Sequence, residues 1–316
     1  MATAADGGRR LDEFLATSLA VGRRAAMRLA TRARVNGRTA RKGDRLHAGD
    51  RIEVPDADIR SGAAADAGLV VRRELPWVLV LDKPAGLPSV ALKGAGGDSL
   101  AARIARRFPE CTDLGTAGEA GLVHRLDTGT SGLLLAARTA EAHAALRAQF
   151  RAHAVVKEYR ALVAGRLDHP LRIDVPIGQH RSAVRRVRAI ESADRARRYA
   201  SRDASTEVTP ERVFATATLV RARTTTGARH QIRVHLASIG HPLLGDPLYG
   251  SAAPGSEGFL LHAGHLEWTD PETGRAVHDE APVPATWDAR LAELMRTTDD
   301  PHSTAGEPSG AGRARR

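Results

Sequence analysis

The sequence has one cysteine, three methionines and, among 316 residues, only five Phe, three Tyr and three Trp. A lone Cys111 excludes an intramolecular disulfide and any thiolate-rich zinc site, and is expected to serve as a small buried hydrophobe. The shortage of aromatics leaves Leu, Val, Ile and Ala to build the interior. The chain is long enough for two domains, or for one large domain with an appendage. A unit of about 200 residues buries roughly 70% of the surface its unfolded chain exposes, so a substantial core is feasible. Long apolar runs are also absent. No stretch approaches the roughly 20 apolar residues of a membrane span. The opening "MATAADGGRRLDEF" has no apolar segment of signal-peptide length. A cytoplasmic protein with no membrane partner is expected.

What the chain does have is arginine, placed unevenly. Lys and Arg total 47 against 37 Asp and Glu, a net charge of +10. Residues 1–55 hold eleven Arg and Lys42 against six acids, and residues 180–202 hold eight Arg against Glu191 and Asp194. A general preference for arginine would spread the excess evenly; here two short stretches carry it. Clustered guanidinium groups suit a phosphate polyanion, which they grip in a fixed fork.

The first cluster belongs to a self-contained segment, residues 9–55. "RRLDEFLATSLA" puts Leu11, Phe14, Leu15 and Leu19 on one helical face. In the following "VGRRAAMRLATRARV", Arg24, Arg28 and Arg32 at i, i+4 and i+8 share one helical stripe. Asn36-Gly37 is a strong hairpin turn signal, and "GDRLHAGDRIEV" closes in an alternating strand. Two helices, an Asn-Gly turn and a "GD-x-I-x-V" strand resemble the S4-like RNA-binding module of a ribosomal protein. That resemblance implies an RNA-facing role for Arg24, Arg28 and Arg32. Residues 56–73, rich in Ala, Asp and Gly, read as a linker. A larger domain spans 74–294, and the low-complexity stretch 295–316 reads as a disordered tail. Strand-like runs at Trp77–Leu81, Gly132–Ala136, Glu158–Ala164, Val213–Val220 and Gln231–Val234 accompany helical stretches at 99–107 and 139–153. Their irregular order predicts an α+β fold.

The chemistry is concentrated around one acid. In "HRLDTGTSGLLLAA", Asp127 precedes a Thr/Gly/Ser turn that opens the buried run Leu133-Leu134-Leu135-Ala136. An acid in that position is ordinarily a turn former or a cap. Its companions change the reading. "HRLDTGTSG" resembles the signature of the RluA family of RNA pseudouridine synthases. Three further stretches agree in the family's order: "DKPAGLPS" (82–89), "VKEYRALVAG" (156–165) and "TTGARHQIRVHLASIGHPLLGDPLYG" (225–250), the last followed closely by "FLLHAGHLEW" (259–268).

The resemblance implies a pseudouridine synthase domain, with a mostly antiparallel mixed β-sheet flanked by helices and loops. It also implies an isomerase acting on RNA uridines. Asp127 would be the nucleophile, Arg233 the cation that keeps it ionised, and Tyr159 the ring that packs on the uracil. Arg125 would fill the gap left by a displaced base and His124 would brace the loop, with Arg125, His124 and Leu261 as the substrate-binding residues. The second basic cluster, with Arg185, Arg186 and Arg188, corresponds to a family hairpin that faces RNA. Breaking the bond from base to sugar, turning the base and rejoining it through carbon involves no redox change, so neither cofactor nor metal is implied. The layout resembles members that modify large-subunit ribosomal RNA, with transfer RNA an alternative and a monomer the family habit.

Departures and rival readings bound this expectation. Where the family reads G-R-T-H-Q, the chain has Gly227-Ala228-Arg229-His230-Gln231; on a strand, that displaces Arg229 to the opposite face. Asp82 stands where Asn is common. His230 and His235 are five apart, and no H-E-x-x-H pattern exists, which argues against a metal site. A non-catalytic RNA-binding protein of this fold would be expected to lack Asp127, Tyr159 or Arg233, and all three are present. A glycoside-type hydrolase needs two carboxylates about the scissile bond, and these motifs hold no convincing second acid.

Overall fold

A computed structural model describes residues 7–18, 30–31, 33–40, 43–54, 69–91, 98–179, 186–192, 200–250 and 258–299. Arg24, Arg28, Arg32 and Arg185, nearly all of the expected second helix, and residues 300–316 lie outside them.

The N-terminal segment builds a small core of its own. Helix α1 (Leu11–Ser18) carries Asp12 and Glu13 in its first turn, where the helix dipole favours negative charge. It turns Leu11 and Leu15 into a cluster with Ala30, Ala33, Val35, Ala40 and Leu46. Strands β1 (Arg34–Val35) and β2 (Arg38–Thr39) form the hairpin that Asn36-Gly37 predicts. Both turn residues have positive φ, 52° and 76°, as the tight hairpin turn demands. Strand β3 (Ile52–Glu53) pairs with β1 on its other side. Asn36 fastens the turn to β3's approach, donating to Asp50 at 2.8 Å and accepting from the Arg51 N–H at 2.8 Å.

The chain divides into two compact units: residues 1–155 with 267–281, and residues 156–266 with 282–316. In the first, β4 (Val70–Glu74), β5 (Val78–Lys83) and β6 (Ser131–Ala137) form an antiparallel meander. β6 is buried at every position and β5 at all but Asp82. Such strands show continuous apolar runs instead of alternation, because both faces are covered. Helix α2 (Leu100–Arg107) starts at Ser99, whose hydroxyl accepts from the Ala102 N–H, and buries Leu100, Ala101 and Ile104. Helix α3 (Ala140–Arg151) is capped in the same way by Thr139 and buries Ala142 and Leu146. A single 3-10 turn, Pro109–Cys111, buries Cys111, and burial pushes its thiol up to about 12, so it stays protonated and unreactive.

The second unit contains β7 (Val156–Ala164), β8 (Leu171–Asp174), β9 (Ile177–Gln179), β10 (Val187–Ala189), β11 (Ser201–Arg202), β12 (Ser205–Val213) and β13 (Ala217–Thr224). Four of these pair antiparallel in the order β7-β13-β12-β8. The three short ones form a separate sheet, β10-β9-β11. Helix α4 (Gln231–Ser238) sends Ile232 and Leu236 into a core with Ala161, Val163, Ile173, Val208 and Val220. Strand β14 (Leu261–Thr269) starts in this unit and ends in the first, where β15 (Ala276–Glu280) pairs with it. There, Asp279 accepts from the Trp268 indole at 2.8 Å and from Arg73 at 2.7 Å. Helix α5 (Asp288–Asp299) brings Leu294 to Leu162, Phe214 and Ala217.

Several sequence expectations need correction. Gln231–Val234 is the opening of α4, not a strand. Six consecutive buried residues, Gln231 to Leu236, erase the amphipathic period, and β-branched Ile232 and Val234 mimic a strand. Val213–Val220 is likewise not one strand: the chain reverses between β12 and β13, with the Phe214 N–H donating to the Ala217 carbonyl at 2.8 Å. Phe214 is buried at the reversal, so hydrophobicity does not mark the turn. Residues 70–73, read as linker, belong to β4, and α5 extends past residue 294 through Asp299.

The segment leading into β6 folds back along it. Ala137 N–H donates to the Gly121 carbonyl at 2.8 Å, and Val123 N–H donates to the Leu135 carbonyl at 3.2 Å. Gly121 has φ +77°, and a Cβ there would lie 2.2 Å from the Ala137 carbonyl oxygen. Backbone cannot yield as a flexible side chain would. Gly121→Ala is therefore expected to destabilise the protein by more than about 2 kcal/mol. Urea denaturation should show this as a lower midpoint; an unchanged midpoint would contradict the packing described.

Candidate active site

His124, Arg125 and Asp127 sit on the loop that enters β6, and three groups from the 82–89 stretch hold that loop. Ser89 Oγ donates to the Leu126 carbonyl at 2.8 Å and accepts from the Leu126 N–H at 3.1 Å. The Gly86 N–H donates to the Thr128 carbonyl at 2.8 Å. Lys83, with no exposed surface, donates from Nζ to the carbonyls of Pro84 (2.9 Å), Leu87 (2.7 Å) and Thr128 (3.2 Å). The turn itself is closed by the Thr130 N–H donating to the Asp127 carbonyl at 3.0 Å. These bonds fix the backbone on both sides of Asp127, so its half-buried carboxylate stands on a rigid turn.

Its neighbours divide by direction. Leu126 is buried and Arg125 is exposed. His124 braces the loop: its Nε2 accepts from the Leu135 N–H at 3.0 Å, which in the neutral ring leaves the proton on Nδ1. Its ring stacks on Phe150 with centroids 4.5 Å apart. Arg147 donates to the Val123 carbonyl at 3.0 Å. His124 is thus tied to the strand behind the loop, and Arg125 is exposed.

Burial brings the Lys83 ammonium down to about 8, with the Asp127 charge acting in the opposite direction. Lys83 thus places a buried positive charge near Asp127 within the same unit, a neighbour that sequence reading did not assign.

The second unit holds Tyr159, Arg233 and Leu261. Tyr159 lies on β7 opposite Ala222 and packs, half-buried, on the core cluster that includes Ile232 and Leu261. Phe259 packs against the same cluster, and the Arg233 guanidinium lies 4.3 Å from the Phe259 ring centroid. The fold therefore gathers three residues spread over about a hundred positions of sequence. Arg233 is buried and gripped by Asp246 in a fork: Nε donates to Oδ2 at 2.7 Å and Nη2 to Oδ1 at 2.8 Å. Burial alone would raise the Asp246 pKa. The Arg233 bonds and the Leu248 and Tyr249 N–H groups outweigh it and hold the carboxyl below the ordinary range.

Asp246 is the acid of these motifs whose role sequence reading did not assign. It stands in the quoted "GDPLYG", fully buried. Its oxygens are committed to Arg233 and to backbone donors, so it serves as the holder of a guanidinium and not as a second acid.

The approach to α4 is tied down with similar density. Gln231 Nε2 donates to the Ser205 carbonyl (3.0 Å) and to Thr224 Oγ1 (2.9 Å), and its Oε1 accepts from the Ala228 N–H (3.0 Å). Buried Lys157 donates to the carbonyls of Thr225 and Thr226, and burial lowers its ammonium to about 8. Arg229 is exposed in the turn before the helix, so the strand-face argument about it does not apply. At the small sheet, Arg186 just before β10 and Arg188 within it are exposed on either side of buried Val187. Lys83, Ser89, Gln231, Asp246 and Phe259 were all visible inside the quoted motifs; what sequence lacked was their pairing.

Lys83→Met removes the donor shared by three carbonyls, and should lower the unfolding free energy by about 1–3 kcal/mol at pH 7. The folded state releases the Lys83 proton near pH 8, whereas an unfolded lysine keeps it to about 10.4. The unfolded state then binds more protons, so between these values Lys83 adds stability as pH rises. Denaturation at pH 7.5 and 9.5 should show wild type gaining on Lys83→Met; a constant difference would contradict this.

Comparison with known proteins gives the family. Residues 77–238 match the family model described as RNA pseudouridylate synthase. Ribosomal large subunit pseudouridine synthase D of Zymomonas mobilis is 37% identical, over 77% of this chain and 78% of its own. The protein of the same name from Pseudomonas aeruginosa is 33% identical, over 88% and 89%. Among solved structures, Human RNA Pseudouridylate Synthase Domain Containing 4 shares the fold, with a TM-score of 0.58 at 20% identity, over 75% of this chain and 97% of that one. With motifs, loop architecture and relatives in agreement, the chain belongs to the RNA pseudouridylate synthase family and is an isomerase converting uridine in RNA to pseudouridine.

Proposed function

We propose that the protein modifies uridines of large-subunit ribosomal RNA, with Asp127 as the nucleophile. The observation that carries the assignment is the rigid turn at Asp127, strapped on both sides by Lys83, Gly86 and Ser89, in a chain whose relatives are named for the large ribosomal subunit. In this reading the carboxylate attacks the ribose or the uracil, and the bond from C1′ to N1 breaks. The detached base turns in place, C5 bonds to C1′, and the bond from the carboxylate to the ribose or the uracil breaks, which returns Asp127 as a free carboxylate. N1 ends with a proton and C5 loses one, so the reaction is an isomerisation with nothing consumed.

Arg233 acts as the counter-cation of Asp127. A nearby guanidinium lowers a carboxylate pKa by roughly 1–3 units and so keeps the nucleophile charged when water is excluded. Tyr159 packs on the turning base, with Leu261 beneath it in the same apolar cluster. The uridine must leave its stack to be reached, at a cost of a few kcal/mol, and exposed Arg125 replaces it there. Arg186 and Arg188 contact phosphates, which gives affinity without sequence information. The N-terminal segment, with its hairpin and its own core, serves as an S4-like RNA-binding domain. The protein acts as a monomer in the cytoplasm.

Tritium release tests this directly. Ribosomal RNA labelled at uridine C5 should release tritium with protein alone, and Asp127→Ala should lower the rate by at least about 1000-fold. Chemical mapping should then place the modified positions in the large-subunit RNA. Release undiminished in Asp127→Ala would overturn the nucleophile, and modification confined to transfer RNA would overturn the substrate.

A further inference from the structure

One side chain touches three parts of the second unit that the reaction would use separately. Tyr249 Oη accepts from the Val187 N–H at 3.0 Å, on the strand whose exposed Arg186 and Arg188 flank that residue. The same oxygen is 2.9 Å from His230 Nδ1. The Tyr249 ring centroid is 5.2 Å from the Arg233 guanidinium carbon. Its backbone N–H donates, at 3.3 Å, to Asp246, which grips Arg233. Around it, Ile177, Val187, Ala204 and Val234 form an apolar cluster in which Tyr249 takes part.

His230 is the strained member. It immediately precedes α4, with φ 53° and ψ 25°, in the left-handed region where a residue bearing a Cβ pays an energetic cost. Such a conformation persists only where the surroundings over-determine it. The Tyr249 hydroxyl supplies that constraint, one residue before Gln231 and three before Arg233.

We propose that Tyr249 is a positioning residue that couples the arginine-bearing strand β10 to the Arg233 guanidinium, so that RNA held at Arg186 and Arg188 sets Arg233 for the reaction. The inference rests on the proposed role of Arg233. Phosphate contacts on β10 would steady its backbone, the Val187 N–H would hold the hydroxyl, and the hydroxyl would keep His230 and the start of α4 in place. A tyrosine kept only for packing would need no hydroxyl; phenylalanine would fill the same space.

A double-mutant cycle decides it. Tyr249→Phe keeps the ring and removes the oxygen. It is compared with Arg186→Gln/Arg188→Gln and with the combination, by single-turnover tritium release at saturating RNA. Each change alone should lower the rate about 10-fold, and the combination also about 10-fold, since both act through one link. A combined loss of about 100-fold, or a wild-type rate in Tyr249→Phe, would overturn the coupling. Thermal melting separates a purely structural effect: Tyr249→Phe should remain folded at the assay temperature, and a rate restored to wild type by cooling alone would also overturn it. Asp127→Ala in the same assay reports on the nucleophile, so failure of that assignment is read independently of the cycle.

Discussion

A charged guanidinium kept out of water must be paired, and the pair must be well made. Two ions withdrawn from solvent each lose several kcal/mol of hydration, and mutual attraction restores this only with good geometry and satisfied hydrogen bonds. Arg233 and Asp246 meet those conditions, with a fork of two bonds at 2.7 and 2.8 Å, backbone donors on the carboxylate and an aromatic face beside the cation. Apolar residues of equal volume could fill such a place at no loss of stability. The pair makes sense as a device for holding one cation in one orientation.

The loops are secured by a related device used twice. Lys83 in the first unit and Lys157 in the second are buried ammonium groups that donate to carbonyls of an adjacent loop. Each organises irregular backbone that has no ladder to satisfy it, and burial depresses both toward about 8. Lys83 fixes the turn carrying Asp127; Lys157, two residues from Tyr159, fixes the approach to the helix carrying Arg233. Asp127 and Arg233 thus stand on or beside segments whose carbonyls are tied by a buried ammonium.

Much of this was legible in the sequence, and the failures have physical causes. Asn36-Gly37 announced its hairpin because few residue pairs tolerate two positive φ values. The buried run after Asp127 read as a strand because β6 is covered on both faces. The same rule misread Gln231–Val234, where complete burial of a short helix leaves no period to detect. The bend at Phe214 was missed because a buried aromatic occupies it. Asp127, Tyr159 and Arg233 are singled out by motifs, whereas Asp246 passed unassigned inside one: an acid's partner thirteen residues away is decided by the fold and not by spacing.

The proposed role of Arg233 depends on the charge of Asp246. Single-turnover release of tritium from C5-labelled ribosomal RNA by Asp246→Asn measures this, because the amide keeps the shape and one acceptor but loses the charge. A rate about 100-fold below wild type is expected in a protein that still folds, since the buried guanidinium loses the carboxylate that orients it. A folded Asp246→Asn protein that releases tritium at the wild-type rate would contradict it.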